Sequence, residues 1–347
     1  MYQMALFQKS VLKQQLSYLD NDFLMPSWEQ YSSYFLLQSK QEDILSKKES
    51  EYQTIFLQEL FGKCLGYTLD TTNTTKQNLY REFKNKTDSK QADGAIKIEG
   101  EVICVIELKS SKTKELSKIE EQAFGYLTAQ SNCKYVVTSN FRKLRFYIQN
   151  KTEFIEFDLF NLTKDEFKLL WLCLSFQSIS SNLPLDLKNR SIVNEEKVTK
   201  QLYSDYSSFR QDLFNDILRN NPNCEQSVVL NKTQKLLDRI LFILFAEDRG
   251  ILPVNAISEI LNNWESRKEF GDEVTLYMSF ITYFNNIYRG RGHKDPNKVI
   301  FSYNGGLFNP DEDLDRLIIS DEILLDYGKK LTAYDFESDI SVNILGH

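Results

Sequence analysis

The chain of 347 residues has 41 % hydrophobic and 26 % charged residues, a formal net charge of -7 and a mean hydropathy of -0.41. This length predicts about two domains, and no apolar run approaches the roughly 20 residues of a membrane-spanning helix. The first 20 residues lack the pattern of a signal peptide. We therefore expect a cytoplasmic protein without a membrane partner.

Few residue types are available for chemistry. The two histidines are His293 and His347, and the five cysteines are scattered without a CxxC pair. This excludes a disulfide framework, a structural zinc site and mechanisms that need a histidine base. Residues 76–150 hold 14 Lys and Arg against 9 Asp and Glu, a local basic excess typical of a nucleic-acid partner. Any chemistry must rest on carboxylates and lysines.

The N-terminal part of the chain is predicted to be helical. Apolar residues recur at helical spacing over residues 41–66, which predicts one long amphipathic helix that ends at Gly66. Residues 70–92 are polar around Leu79–Phe83, which we interpret as a strand or a loop ordered by a partner.

The strongest strand signal lies at residues 101–109. This segment is β-branched and almost entirely apolar, as in a central strand buried on both faces, but it ends in Glu107 and Lys109. A helix predicted over 115–130 and a strand over 134–139 complete a βαβ unit. Further strands are predicted at 142–149 and 153–159, and a closing helix at 164–175.

These elements predict an α/β domain followed by a helical one. The first domain spans residues 1–176, and the Ser- and Asn-rich segment 177–195, with Pro184, is predicted to be a linker. The second domain, 196–347, is predicted to be all-α. Its helices are predicted at 196–219, 228–250, 256–264 and 272–289.

Charged residues at the end of the 101–109 strand indicate a possible site. Glu107 and Lys109 share one face of the strand, since successive side chains alternate. A hairpin through Glu99-Gly100 would bring the preceding segment alongside and place Asp93 next to Glu107. Two close carboxylates repel each other unless a cation lies between them, and Mg²⁺ prefers oxygen ligands. The residues therefore predict Mg²⁺-assisted phosphodiester hydrolysis, with Lys109 beside the attacking water.

The motif Asp93, Glu107-Leu108-Lys109 and Gln122-Ala-Phe-Gly-Tyr126 resembles the PD-(D/E)XK nuclease superfamily, including its QxxxY extension. The resemblance implies a restriction-endonuclease-like mixed central sheet flanked by helices. It implies that Asp93 and Glu107 bind metal and that Lys109 assists the water. Gln122 would act in the catalytic site, and Tyr126 would contact the DNA backbone.

The resemblance also implies a metal-binding carboxylate from the preceding helix. Glu51 is the best match, and Glu59 is the second choice. Ser110 and Lys112, which follow the strand, are expected to contact DNA. The proline of the family pattern is Ala92 in this chain.

The second half resembles the helical connector of type IIG restriction-modification enzymes, which are site-specific deoxyribonucleases. The resemblance is carried by Tyr203–Tyr206, Leu236–Pro253, Tyr303–Phe308 and Ile344–His347. It implies that the chain is the N-terminal part of a longer enzyme that acts on double-stranded DNA. Methyltransferase and target-recognition modules, with S-adenosylmethionine as their cofactor, would lie elsewhere in that longer chain, and a transient dimer would make double-strand cuts.

Other interpretations stay open. The nuclease fold could be a non-catalytic DNA- or protein-binding scaffold, or the chain could be a stand-alone structure-specific nuclease. The charges at Asp238-Arg239 and Glu247–Arg249 are interpreted as intrahelical and interdomain salt bridges. The basic loop Arg289–Lys294 either contacts phosphate or is a solvated surface turn.

Overall fold

The computed structural model describes residues 6–70, 72, 75–84, 91–129, 132–303 and 305–336. The chain divides into two compact units, Met1–Ile192 and Val193–His347. The first contains a mixed sheet with flanking helices, and the second is helical, which confirms the predicted fold class. The predicted segment Ile344–His347, and Asn304 within Tyr303–Phe308, lie outside the described residues.

The first unit begins with helices and continues into the sheet. Its elements are α1 (Lys9–Ser17), α2 (Asn21–Phe35), α3 (Gln38–Ser46), α4 (Glu49–Phe56), a π-helix (Leu57–Cys64), β1 (Leu79–Lys84), β2 (Gln91–Ile98), β3 (Glu101–Leu108), α5 (Ser117–Ala129), β4 (Tyr135–Ser139), β5 (Lys143–Ile148), β6 (Phe154–Asp158), α6 (Lys164–Leu174) and α7 (Phe176–Ser180).

The six strands lie in the order β1-β2-β3-β4-β5-β6. β3 and β4 run parallel and are joined by the crossover helix α5, whereas the other neighbouring strands are antiparallel. β3 occupies the middle of the sheet, and its residues from Cys104 to Leu108 are buried. The predicted βαβ unit and its central strand are therefore confirmed.

A tight turn joins β2 to β3. Glu99 and Gly100 have φ angles of 52° and 86°, the positive values that a two-residue hairpin turn requires at both central positions. The strands pair from Ile98 opposite Glu101 to Gly94 opposite Ile106. This confirms the predicted hairpin.

The single long helix predicted over 41–66 is wrong. α3 ends at Ser46, and Lys47 and Lys48 have extended backbone with ψ of 152° and 157° before α4 begins at Glu49. The final two turns then form a π-helix rather than an α-helix. The apolar pattern did not reveal the break because residues on both sides of it are buried in the same core.

Each face of the sheet is covered by helices. One face packs against a large aromatic core that includes Tyr31, Phe56 and Phe167 from the N-terminal helices and α6. The other face packs against α5 through Ala123 and Tyr126. The alternation of β3 side chains between these two cores explains why this strand is apolar along most of its length.

The predicted linker at 177–195 is helical rather than irregular. It contains most of α7 and the beginning of α8 (Leu183–Asn220), a continuous helix that passes through the boundary between the units. Pro184 is the second residue of α8, where its missing N–H breaks no intrahelical hydrogen bond. Ile179 and Leu187 are buried in the core of the first unit, which stabilises helix despite the polar composition.

The second unit packs its helices around one core. Its elements are the C-terminal part of α8, α9 (Gln226–Asp248), α10 (Ala256–Glu269), α11 (Leu276–Arg289), a 3₁₀ turn (Pro296–Lys298), α12 (Glu312–Asp315) and α13 (Asp321–Leu331). The last two helices were not predicted. In the described ranges, no helix combines the length and apolar character that crossing a bilayer would require.

Arg239 and Glu247 were predicted to form salt bridges, but their shortest hydrogen bonds are to backbone groups. Arg239 donates hydrogen bonds to the carbonyl oxygens of Leu307 and Asn309, each at 2.8 Å. Glu247 accepts a hydrogen bond from the backbone N–H of Ile257 at 3.2 Å. Both charges therefore bind backbone groups that would otherwise lack partners, and both have structural roles.

Candidate active site

The β2–β3 hairpin positions two carboxylates at the end of the central strand. Asp93 and Glu107 lie one residue beyond the Gly94–Ile106 pair of the ladder. Asp93 is held to β3 because its Oδ2 accepts a hydrogen bond from the Leu108 N–H at 2.6 Å. A Cβ atom on Gly94 would lie 3.2 Å from the Ile106 Cβ, so glycine permits this close approach of the strands.

Glu107 is buried next to Lys109. Its side chain is 2 % exposed, and the Lys109 ammonium lies 2.7 Å from its Oε1. The other oxygen, Oε2, is buried and has no hydrogen-bond partner in the described structure. A buried carboxylate oxygen without a donor is costly to maintain, which marks this atom as available to a ligand.

Glu49 supplies a third carboxylate that the sequence did not indicate. Its Oε1 lies 3.7 Å from the Lys109 ammonium, and its Oε2 accepts a hydrogen bond from the Ser110 N–H at 2.9 Å. Glu49 is the first residue of α4, where the partial positive charge of a helix N-terminus favours an anion. Recognising the helix start at Lys48 would have revealed it.

Neither of the helix carboxylates chosen from the sequence faces the site. Glu51 accepts a hydrogen bond from the Lys48 N–H at 3.0 Å and caps α4, with its side chain exposed. Glu59 lies in the π-helix and forms an ion pair with Lys63 at 2.8 Å.

Gln53 also approaches the site and was missed. It lies one turn after Glu49 on α4, and its Nε2 donates a hydrogen bond to Asp93 Oδ1 at 3.0 Å. Asp93 therefore has each oxygen bound by a different donor. α4 thus contacts both site strands, through Glu49 at the end of β3 and through Gln53 at Asp93.

Gln122 and Tyr126 lie on α5 and contact each other. Gln122 Nε2 donates to the Tyr126 hydroxyl at 3.2 Å, and that hydroxyl donates to the Gln91 carbonyl at 2.6 Å. The Tyr126 ring is buried, whereas Gln122 is exposed. In this arrangement Tyr126 braces the beginning of β2, and its ring is not open to a partner.

The loop after β3 runs alongside the α3–α4 junction. Ser110 accepts a hydrogen bond from the Lys112 N–H at 3.3 Å, and Ser111 donates to the Leu45 carbonyl at 3.4 Å. Lys112 is exposed. Ser110 and Lys112, two of the three residues predicted to contact DNA, therefore lie in the loop beside Glu49 and Lys109, with Ser110 half-buried and Lys112 exposed.

The site residues have shifted titration properties. Burial, together with the charge of Asp93, raises the pKa of Glu107 to about 7 against the opposing effect of Lys109. Burial raises the pKa of Asp93, opposed by the Leu108 N–H and Lys109. Burial lowers the pKa of Lys109, but Glu107, Asp93 and Glu49 outweigh it and the net pKa is raised. The three carboxylates share one positive charge.

These residues fit a hard divalent cation in chemical type. The carboxylates offer only oxygen atoms as metal ligands. Glu107 Oε2 has no hydrogen-bond partner in the described structure, and a bound cation would satisfy it. In the described ranges, no group of three or more His, Cys, Asp and Glu side chains is already arranged to ligate an ion. Lys109 supplies the positive charge in the arrangement described. Asp93, Glu107 and Glu49 are the residues that would hold a metal.

Comparisons with known proteins give a likeness to a solved structure. No protein-family model and no curated protein matches the sequence. Among solved structures, the chain is similar to a chain of the cryo-EM structure of a DrdV–DNA complex, with 17 % sequence identity and a TM-score of 0.32. The match covers 88 % of this chain and 26 % of that chain. This chain therefore spans about a quarter of the length of the protein it matches.

Proposed function

We propose that the first unit is a Mg²⁺-dependent DNA endonuclease that hydrolyses phosphodiester bonds with an activated water. The proposal rests mainly on one observation. At the end of a central strand, Glu107 and Glu49 lie 2.7 and 3.7 Å from the Lys109 ammonium, Asp93 lies close enough to raise the pKa of Glu107, and one buried oxygen of Glu107 has no partner in the described structure. Such an arrangement of oxygen ligands beside an amine suits phosphoryl chemistry.

Each site residue has a distinct task in this proposal. Asp93, Glu107 and Glu49 would hold Mg²⁺, which supplies Lewis acidity toward water and the phosphate. Lys109 donates hydrogen bonds, so it can orient a water or stabilise negative charge on a phosphate oxygen. Gln53 and the Leu108 N–H fix the carboxylate of Asp93, and Tyr126 fixes the beginning of β2 through Gln91.

The wider context is also a proposal, supported by the sequence resemblance to type IIG restriction-modification enzymes. In that context the substrate is double-stranded DNA, with Ser110 and Lys112 next to its backbone. Methyltransferase and target-recognition modules of a longer chain would supply sequence choice and the need for S-adenosylmethionine. A transient dimer would allow cuts in both strands.

Mg²⁺ titration and DNA cleavage test the proposal together. Calorimetry should show Mg²⁺ binding to the 347-residue protein that weakens at least about 10-fold in Glu107→Gln. Glu51→Gln is the matched control, because the change also removes a carboxylate of the same region and glutamine preserves a capping box. We expect it to bind Mg²⁺ like the wild type.

Cleavage of plasmid DNA should depend on the same residues as Mg²⁺ binding. Glu107→Gln and Lys109→Ala should each lower the cleavage rate by about 10³-fold, and Glu51→Gln should not. Equal Mg²⁺ affinity in Glu107→Gln and the wild type would contradict the proposal. So would Mg²⁺-dependent cleavage that persists in highly purified Glu107→Gln protein.

A further inference from the structure

We propose that the loop after α11, Arg289–Ser302, is a second contact surface for the backbone of double-stranded DNA. We name it the α11 loop. It belongs to the second unit, whereas the carboxylates of the proposed nuclease site belong to the first, and the choice of DNA as the partner rests on that proposed function. The inference itself is carried by charge, fixed backbone geometry and exposure in this loop.

The charge of the α11 loop contrasts with that of its unit. Residues 193–347 hold 17 Lys and Arg against 25 Asp and Glu, a net charge of -8. Within this acidic unit, Arg289-Gly-Arg-Gly-His-Lys294 has three cations in six residues and no acid. A cationic patch in an otherwise acidic unit indicates a binding surface for an anionic partner, because the net charge of the unit already keeps it soluble.

The backbone of the loop is held in place at both ends. Arg291 and Ile300 exchange two hydrogen bonds, N–H to carbonyl, at 2.8 and 2.9 Å. Gly290 has a φ of 81°, and a Cβ atom there would lie 3.2 Å from the Ser302 nitrogen. Glycine therefore allows the chain to leave α11 and return as a closed loop. A closed loop loses less conformational entropy on binding than an open one.

The acids near the loop are already engaged. Asp295 caps the 3₁₀ turn by accepting a hydrogen bond from the Asn297 N–H at 3.0 Å. Glu259 forms an ion pair with Lys298 at 2.9 Å. In the part of the chain that the structure describes, Arg289, Arg291 and Lys294 are exposed and have no carboxylate within ion-pair distance.

The same loop carries an exposed aromatic ring. Phe301 is 79 % exposed and follows Ile300, the residue that pairs with Arg291. Gly292 has no atom within 4 Å of its ideal Cβ position, so its backbone can approach another molecule closely. Cations, an accessible glycine backbone and an exposed ring form a surface suited to phosphates and the sugars between them.

Counterion release sets the expected effect. A cation that neutralises one phosphate of B-DNA contributes about 0.9 to the slope of log K against log salt concentration. Three such contacts therefore contribute a slope of about 2.7. Arginine and lysine serve equally in this purely electrostatic role, since no base edge is read.

Fluorescence anisotropy with a labelled 30-base-pair duplex in EDTA tests this surface in the 347-residue protein without cleavage. We expect the triple variant Arg289→Ala, Arg291→Ala, Lys294→Ala to bind at least about 10-fold more weakly near 0.1 M salt. Its salt slope should fall by about 2 to 3. The double variant Arg289→Lys, Arg291→Lys should bind like the wild type.

A matched control removes three cations that have acidic partners. Arg267, Arg316 and Lys329 pair with Asp272, Glu312 and Glu265, and their triple alanine variant should bind the duplex like the wild type.

Three results would overturn the inference. The first is equal weakening of duplex binding in the two triple alanine variants, and the second is unchanged duplex binding in the triple variant of the α11 loop. The third is stronger competition for binding by single-stranded RNA than by unlabelled duplex. Because binding is measured in EDTA, these results are separate from Mg²⁺ binding and cleavage at the proposed nuclease site.

Discussion

Each unit buries a charged side chain, and the two differ in how completely it is satisfied. Arg239 in α9 is 1 % exposed, donates to two backbone carbonyls and lies against the rings of Phe284 and Phe308. Glu107 in β3 is 2 % exposed, and only one of its oxygens has a partner. The helical unit therefore encloses a charge that its own backbone satisfies, whereas the sheet unit leaves a carboxylate oxygen free.

This difference separates a structural charge from a candidate functional one. A buried ion is costly unless hydrogen bonds and opposite charges compensate it. Arg239 meets that condition through the 307–309 segment, so it joins α9 to a distant part of its own unit. Glu107 meets it only in part, which raises its pKa to about 7 and leaves it ready for a cation.

Removal of Arg239 should have the largest effect on stability. Arg239→Ala leaves the carbonyls of Leu307 and Asn309 without donors and a cavity between two rings. We expect a loss of about 3 to 5 kcal/mol in the free energy of unfolding of the helical unit, measured by urea denaturation. Arg316→Ala, which removes an exposed ion pair with Glu312, should change it by less than about 1 kcal/mol. A small loss in Arg239→Ala would remove the contrast with Glu107.

Glu247 should make the helical unit less stable as the pH rises. Burial raises the pKa of Glu247 to about 7 from an ordinary value of 4.5, against the opposing N–H groups of Ile257 and Ala256. Between these values the unfolded chain releases a proton that the folded chain retains, so folding loses stability as the pH rises from about 4.5 to about 7.

The variant Glu247→Gln should lack this pH dependence, because glutamine keeps an acceptor for the Ile257 N–H and does not titrate. Its advantage over the wild type in free energy of unfolding should grow across that window to at most about 3 kcal/mol. Urea denaturation at pH 5, 6, 7 and 8 measures it. Parallel pH profiles for the two proteins would contradict this role for burial.

Gln53 should act on the site without supporting the fold. Gln53→Ala removes the hydrogen bond to Asp93 Oδ1 and leaves the carboxylate oriented only by the Leu108 N–H at Oδ2. We expect Mg²⁺ affinity to fall about 10-fold, as for other residues that orient a ligand, with a change in unfolding free energy below about 1 kcal/mol. Gln38→Ala removes a comparable bond, to Glu42 on exposed α3, and should leave Mg²⁺ affinity unchanged. Equal affinity in the two variants would exclude a positioning role.

Glu107 itself should not support the fold. Its pKa is raised to about 7 even beside Lys109, so burial and the charge of Asp93 outweigh the ion pair that Glu107→Gln loses. We expect the free energy of unfolding of Glu107→Gln not to fall at pH 8, and to rise by at most about 3 kcal/mol. Urea denaturation measures this change alongside Arg239→Ala. A loss as large as that in Arg239→Ala would mean that the carboxylate is mainly structural.

Local patterns predicted much of the sheet unit. The β-branched run at 101–109, the Glu99-Gly100 turn and the helix after them predicted a hairpin followed by a crossover. The two-residue turn by itself would pair Asp93 with Ile106, and a register shift between Ile96 and Lys97 is what brings Asp93 opposite Glu107. The pattern therefore predicted the hairpin, and the structure supplied the register of its acids. The structure brings Asp93, Glu107 and Lys109 together, and their roles in catalysis remain predictions.

The third carboxylate could not be found in this way. Apolar periodicity is nearly continuous through α3, α4 and the π-helix, so it does not show that the chain bends at Lys47 and Lys48. The direction of Glu49 depends on that bend and on the Ser110 N–H, which is 61 residues away in the chain.

The sequence by itself determined the central strand, the turn of the hairpin and the crossover helix, because these depend on neighbouring residues. Tertiary structure decided which charges are satisfied. Arg239 finds carbonyls about 70 residues away, and Glu107 finds no donor for one oxygen. The desolvation of a charge depends on every element packed around it, so only the folded chain distinguishes a charge that supports the core from one available to a ligand.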